Sequence, residues 1–211
     1  MTSADSAMKT AGVILAAGKA SRFGSDKRLA KFDDSHTLLT RTTDLFLQCC
    51  DDVFVVLKPS DKENEQLLFA KLEEKVNLHF VYSDGSAQGM GSSLSDAITF
   101  LDVFEAKYNQ KFTGVLLGLA DMPFIRLTTM KKILASKSAK RIIVPSVFNE
   151  EGVKKLGHPV WFGRLWFDQL KLLRGDRGGR SIISENPQAV TELPVKDAGI
   201  LRDIDEPSDL K

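Results

Sequence analysis

Along this 211-residue chain, short apolar runs rich in β-branched residues alternate with segments whose apolar residues recur at three- and four-residue spacing. That alternation constrains the fold more than any single motif. The runs "GVILAA" (12–17), "DVFVVL" (52–57), "NLHFVY" (77–82), "TGVLLGLA" (113–120), "RIIVPS" (141–146) and "HPVWF" (158–162) read as buried strands. Helices are predicted between them over 38–49, 62–74, 92–105 and 127–135. After the Gly-rich "RGDRGGR" (174–180) come a short helix over 180–185 and strands near 191–195 and 200–204. Such an order predicts an α/β fold: a single-domain, Rossmann-like, mostly parallel sheet with helices on both faces and a ligand site at the carboxyl ends of its strands. No internal repeat or linker interrupts it, so residues 1–211 are expected to form one domain, with 1–10 flexible.

Composition excludes several classes of function. With 43% hydrophobic and 27% charged residues the chain can bury a sizeable core. Lys+Arg number 29 against 28 Asp+Glu, so no field over the whole surface gathers nucleic acid or anionic membrane, and anion recognition must be local. The lysine-rich "KKILASKSAKR" (131–141) has helical spacing and reads as a solvated face, not a nucleic-acid site. Cys49 and Cys50 are adjacent, without the spacing of a zinc or redox motif, and read as packing residues in a reducing compartment. No apolar run has bilayer-crossing length, and the start "MTSADSAMKT" lacks the order of a signal peptide. A cytoplasmic location is the expectation.

The loop "GVILAAGKASRFGSDK" (12–27) draws attention because a buried strand runs directly into glycine and then into basic residues. Successive backbone N–H groups in such a turn can cradle phosphate oxygens, while Arg22 and Lys27 supply full charges. An ordinary strand-to-loop turn with solvated lysines is the alternative. The loop is not a Walker A motif, since Gly18 and Gly24 are separated by five residues and followed by Ser-Asp-Lys, and it is not a G-x-G-x-x-G fingerprint.

The stretch "LAAGKASRFGSDK" resembles the LAAGxSxRxGxxK signature of MobA-like nucleotidyltransferases. Further landmarks follow in order: "GMGSSL" (89–94), "LADMPFI" (119–125), "GHPVWF" (157–162), "GDRGGR" (175–180) and "DIDEPSDL" (203–210) are similar to the molybdenum cofactor cytidylyltransferase branch. The resemblance spans nearly the whole chain and implies a nucleotide-diphospho-sugar-transferase-like fold. Two departures stand out. Relatives continue the first motif with Leu-Leu-Pro, where this chain has "RLAKFDDSHTLL" (28–39), and they carry Thr-Pro-Glu-Asp where Glu206-Pro207-Ser208-Asp209 stands.

Roles follow from the resemblance position by position. Leu15, Ala16, Ala17, Gly18, Arg22 and Lys27 would hold the nucleotide, with Arg22 and Lys27 catalytic through neutralising charge on the phosphates. Gly89, Gly91, Ser92 and Ser93 would lie against base and ribose; plain capping of the following helix is their alternative role. Asp121 and Asp205 would ligate Mg2+, which favours oxygen ligands and shares them with substrate phosphates; either could instead cap a turn or helix. His158, Arg177, Gly178, Gly179 and Arg180 would form the acceptor side, His158 having no HExxH partner to suggest zinc. Ala17 stands where guanylyl-transferring cousins carry a second glycine, which favours CTP. The implied reaction is Mg-dependent transfer of CMP from CTP to the molybdopterin (molybdenum) cofactor with release of pyrophosphate. Alternatives are another nucleotide or acceptor, such as guanylyl transfer or a sugar phosphate, and a non-catalytic carrier that delivers the cofactor to a client molybdoenzyme.

Overall fold

β1 (Lys9–Leu15) takes an interior place in the sheet, and every residue from Thr10 onward is buried, so both of its faces must be covered. The computed structural model describes residues 8–18, 23–70, 72, 75–149 and 151–210. On one side of β1 lies β2 (Asp52–Leu57), itself buried throughout, followed by β3 (Leu78–Tyr82); on the other lies β4 (Phe112–Leu119). These four strands are parallel. The sheet then turns mixed: β5 (Ile142–Phe148) pairs antiparallel with β6 (Lys154–Leu156) and β7 (Val160–Gly163), β7 pairs antiparallel with β4, and β8 (Val190–Pro194) runs parallel to β5.

Alternation along the central strands sends side chains to two cores. Ala11, Val13 and Leu15 of β1, with Phe54 and Val56 of β2, face the long helix α3 (Met90–Tyr108) and the short helices α5 (Phe167–Lys171) and α6 (Gly179–Glu185). Ile14, Val53, Val55 and Leu57 face α1 (Leu38–Leu47), α2 (Glu65–Phe69) and α4 (Leu127–Ala135). The expected single α/β domain with helices on both faces is what forms. Phe46 of α1 lies flat on the sheet because Gly12 and Gly118 leave room: a Cβ on either would stand 2.8 or 2.5 Å from its ring. Cys50 is buried beside it and Cys49 half-buried, so both pack as expected.

Three local expectations change. The helix predicted over 62–74 shrinks to α2, because Pro59 opens a 3₁₀ turn (Pro59–Asn64) whose Asp61 carboxylate takes the Lys58 N–H. The strand predicted near 200–204 is replaced by a 3₁₀ turn (Ala198–Leu201), tied by the Asp197 carboxylate to the Gly199 N–H and packed so closely that a Gly199 Cβ would stand 2.2 Å from the Phe124 carbonyl oxygen. β6 is additional. As for the first ten residues, 1–7 lie outside the described residues, and Lys9 and Thr10 already belong to β1. No helix among the described residues is long and apolar enough to cross a membrane.

Candidate active site

The chain switches sides of the sheet between β1 and β4. A crevice therefore opens at their carboxyl ends, where open α/β sheets bind ligands. Leu15 and Leu119 are paired, the Ala120 N–H donates to the Leu15 carbonyl at 3.1 Å, and the Ala16 N–H donates to the Val56 carbonyl at 2.9 Å. The glycine turn and the Asp121 turn thus leave the sheet side by side. Between them and the start of α3 lies a cleft of about 650 Å³, a size suited to a small ligand. Its walls include Leu15 to Gly18, Lys27, Gly89, Ser93 and Asp121, all expected from the sequence. Arg22, the other expected catalytic cation, lies outside the described residues.

Lys27 opens a 3₁₀ turn (Lys27–Leu29) capped by the Asp26 carboxylate, and its side chain reaches back across the cleft. The ammonium donates to Asp121 Oδ2 at 2.6 Å and to the Ile204 carbonyl at 2.9 Å, and stands 3.6 Å from Asp205 Oδ1. Asp121 and Asp205 are therefore brought together although far apart in sequence. The Ile204 N–H donates to the Asp121 carbonyl at 3.0 Å and so registers the two segments. The N–H groups of Asp205 and Glu206 are taken by the Asp209 carboxylate at 2.9 and 2.8 Å.

Do these residues fit a divalent cation? Asp121 Oδ1 is buried and has no hydrogen-bond partner among the described residues. A buried carboxylate oxygen without a donor is costly, so it calls for a ligand. The donor set is all oxygen, as Mg2+ or Mn2+ prefers. Among the described residues no group of three His, Cys, Asp or Glu forms a closed metal cage, which leaves two carboxylates that substrate phosphates would complete.

Next to Lys27, Arg28 also lines the cleft. Its Nη1 and Nη2 donate to the two oxygens of Asp61 at 2.6 and 2.8 Å, its Nε and Nη2 bond Asp26, and Nη1 also donates to the Ala16 carbonyl at 3.1 Å. Two carboxylates hold its pKa well above that of a free guanidinium, though burial works against them. A basic residue lining the cleft is here already neutralised, and it fixes the glycine turn. Lys58, at the carboxyl end of β2, and Asp176 also line the cleft and were not singled out from the sequence.

The "GMGSS" segment is interlocked with the "GDRGG" loop. Gly91 and Ser92 N–H groups donate to the Gly175 carbonyl at 2.7 and 3.3 Å, and the Gly175 N–H donates to Ser92 Oγ at 3.0 Å. A Cβ on Gly91 would meet the Arg177 carbonyl oxygen at 2.1 Å, and Gly89, at φ +131°, would meet Asp176 at 2.2 Å. Ser92 is accordingly committed to holding this loop, while Gly89 and Ser93 face the cleft. On the expected acceptor side, Arg177 and Arg180 are exposed, Gly178 precedes α6, and Gly179 lies against the Phe162 ring. None of these lines the cleft itself. His158 is half-buried before a cis proline, with Nδ1 unpartnered among the described residues; burial lowers its pKa, against the Leu117 carbonyl, Asp121 and Asp203, which raise it.

Known proteins resemble this chain in sequence and fold. The purine catabolism protein PucB of Bacillus subtilis (strain 168) is 26% identical over 207 residues, covering 94% of this chain and 92% of that protein. The structure of an Rv0371c homologue from Mycobacterium sp. strain JC1 is 30% identical, with a TM-score of 0.74 over 95% of this chain and 92% of its own. Rv0371c of Mycobacterium tuberculosis H37Rv, solved as a manganese complex, is 27% identical with a TM-score of 0.65 over 90% of this chain and 89% of its own. Residues 12–190 match the MobA-like NTP transferase domain, a span that begins within β1 and carries the glycine turn, Lys27, Asp121 and both interlocked loops. The chain belongs to the MobA-like nucleotidyltransferase family.

Proposed function

We propose that this protein transfers CMP from CTP to the molybdopterin form of the molybdenum cofactor, releasing pyrophosphate. The observation that carries the reading is the Lys27 ammonium set between Asp121 and Asp205, beside a glycine turn and an unpartnered Asp121 oxygen. In the reaction an oxygen of the acceptor's terminal phosphate attacks the α-phosphorus of CTP. A new P–O bond forms, the bond from the α-phosphorus to the bridging oxygen breaks, and pyrophosphate leaves with that electron pair. The acceptor phosphate is already largely ionised at neutral pH, so no general base is needed and positioning carries most of the catalysis.

Backbone N–H groups of Ala17 and Gly18 would receive the nucleotide, since no described backbone carbonyl takes them. Lys27, Arg22 and Lys58 would neutralise the triphosphate and the departing pyrophosphate. Asp121 and Asp205 would hold Mg2+, which when bound spreads the charge of the transferring phosphates; the manganese complex of the Rv0371c protein supports a divalent cation. Gly89 and Ser93 would contact base and ribose, and His158, Arg177, Gly178, Gly179 and Arg180 would meet the acceptor. CTP is favoured over GTP by Ala17, which lines the cleft and is 5% exposed.

Pyrophosphate release tests the reading, measured with each of the four nucleoside triphosphates, with and without molybdenum cofactor. CTP-dependent release only when cofactor is present is the expected result. Release with GTP or a sugar phosphate reassigns nucleotide or acceptor. Cofactor binding with no pyrophosphate from any nucleotide overturns catalysis in favour of a carrier.

A further inference from the structure

The Lys27 ammonium occupies the place between two carboxylates where a metal ion would bring its charge. It has three N–H donors, and three oxygens surround it: Asp121 Oδ2 at 2.6 Å, the Ile204 carbonyl at 2.9 Å and Asp205 Oδ1 at 3.6 Å. Its side chain is only 18% exposed, so solvent screens these contacts weakly. A lysine so engaged is not yet a phosphate ligand.

We propose that Lys27 is a resident counter-ion whose transfer from the carboxylates to the triphosphate couples metal binding to nucleotide binding. Two carboxylates facing one space repel each other, and the ammonium between them relieves that repulsion. A divalent cation arriving alone must enter against this positive charge and leave the ammonium buried without an anion. A triphosphate changes the balance by offering the ammonium several oxygens a short swing away. The carboxylates then become available at the moment when phosphate oxygens are present to complete the cation's coordination. Coupling of this kind is reciprocal: nucleotide must raise the affinity for metal by the factor by which metal raises the affinity for nucleotide. The proposal rests on the assignment of Asp121 and Asp205 to metal, and is independent of which nucleotide or acceptor is used.

Mn2+ binding by the full chain, read by electron paramagnetic resonance, gives the test. The parent is expected to bind Mn2+ alone weakly and to gain affinity when CTP is added. Lys27→Met, which removes the ammonium, and Lys27→Gln, which keeps a donor for the Ile204 carbonyl, should bind Mn2+ alone about tenfold more tightly than the parent, within the usual range of such couplings. Adding Asp121→Asn to either should erase the gain, which locates it at this site. If Lys27→Met does not fold, Lys27→Gln decides. Equal or weaker Mn2+ binding by the folded Lys27 variants overturns the proposal. So does a parent that binds Mn2+ as tightly without nucleotide as with it, a result that needs no variant. Absence of Mn2+ binding in every form, nucleotide included, instead removes the metal assignment on which the proposal stands.

Discussion

Arg28 and Asp61, 33 residues apart, meet through two parallel hydrogen bonds of 2.6 and 2.8 Å, and the same guanidinium reaches the Ala16 carbonyl. This pair ties the Lys27 turn and the glycine turn to the carboxyl end of β2.

The brace should be measurable by pH. Burial raises the Asp61 carboxyl, but the Arg28 bonds and the Lys58 N–H outweigh it and hold its pKa below the ordinary value. A depressed carboxylate contributes stability that is present above the unfolded value of about 3.9 and is lost as pH falls through the folded value. Asp61→Asn should therefore lower stability at pH 7 by about 2 kcal/mol, less than a fully broken buried pair because Asp26 still holds Arg28. The Tm difference from the parent should narrow as pH drops below about 4. A difference that stays constant from pH 7 to pH 3 would show that the ionised pair is not its source.

Ser92 is expected to hold the two cleft loops together. Its hydroxyl accepts the Gly175 N–H, and Ser92→Ala would leave that donor without its partner at a cost of about 1–3 kcal/mol. Gly91→Ala should be worse, since its methyl would meet the Arg177 carbonyl oxygen at 2.1 Å, where only backbone can give way. Hydrogen exchange should show faster exchange at 175–179 in both variants, with weakened nucleotide binding as a second consequence. Unchanged exchange there would mean that the loop is held from elsewhere.

Much of this architecture is legible from residues that act locally. "DVFVVL" becomes β2 over the same six positions because continuous β-branched burial suits a central strand. Leu127–Ala135 is a helix as its spacing predicts. Lys27 and Asp121 were identifiable because each follows a strand in a motif-bearing turn. The brace was not: nothing near Asp61 signals a partner at Arg28, since only the fold brings the ends of β1 and β2 together. Asp176 was hidden for the same reason, lying in a loop whose docking onto Gly89 is tertiary. Lys58 carried a usable signal, a basic residue directly after a buried strand at the site-bearing edge of the sheet. The strand expected near 200–204 shows the opposite failure, since the Asp197–Gly199 turn stands at its start instead.

Asp121 and Asp205 should respond differently in degree to loss of charge. Asparagine keeps one carbonyl oxygen but not the negative charge that a hard cation favours. Asp121→Asn and Asp205→Asn should both require more Mg2+ for half-maximal pyrophosphate release and lose turnover. Asp121→Asn should be affected more, since it supplies the buried, unpartnered oxygen while the Asp205 side chain is 51% exposed. Magnesium titrations of the two variants and the parent decide the matter. A parental titration for Asp205→Asn alone would leave one protein carboxylate at the site.

Ala17 offers the sharpest test of nucleotide choice because the residue before it is held at both of its backbone groups. Ala16 donates its N–H to the Val56 carbonyl and its carbonyl accepts from Arg28, so the turn is anchored on that side when one methyl is removed. Ala17→Gly should therefore open space in the cleft without moving its walls. A larger purine base would gain more from that space than cytosine, and the ratio of kcat/KM for CTP over GTP should fall. One methyl group is worth about 1–3 kcal/mol of discrimination, so the fall should lie between about fivefold and about 150-fold, with CTP activity itself largely retained. Steady-state kinetics with both nucleotides would read this directly. An unchanged ratio would remove Ala17 as a selector and shift attention to the opposite wall of the cleft, where Gln88 and Asp176 present the polar groups that could read a base edge.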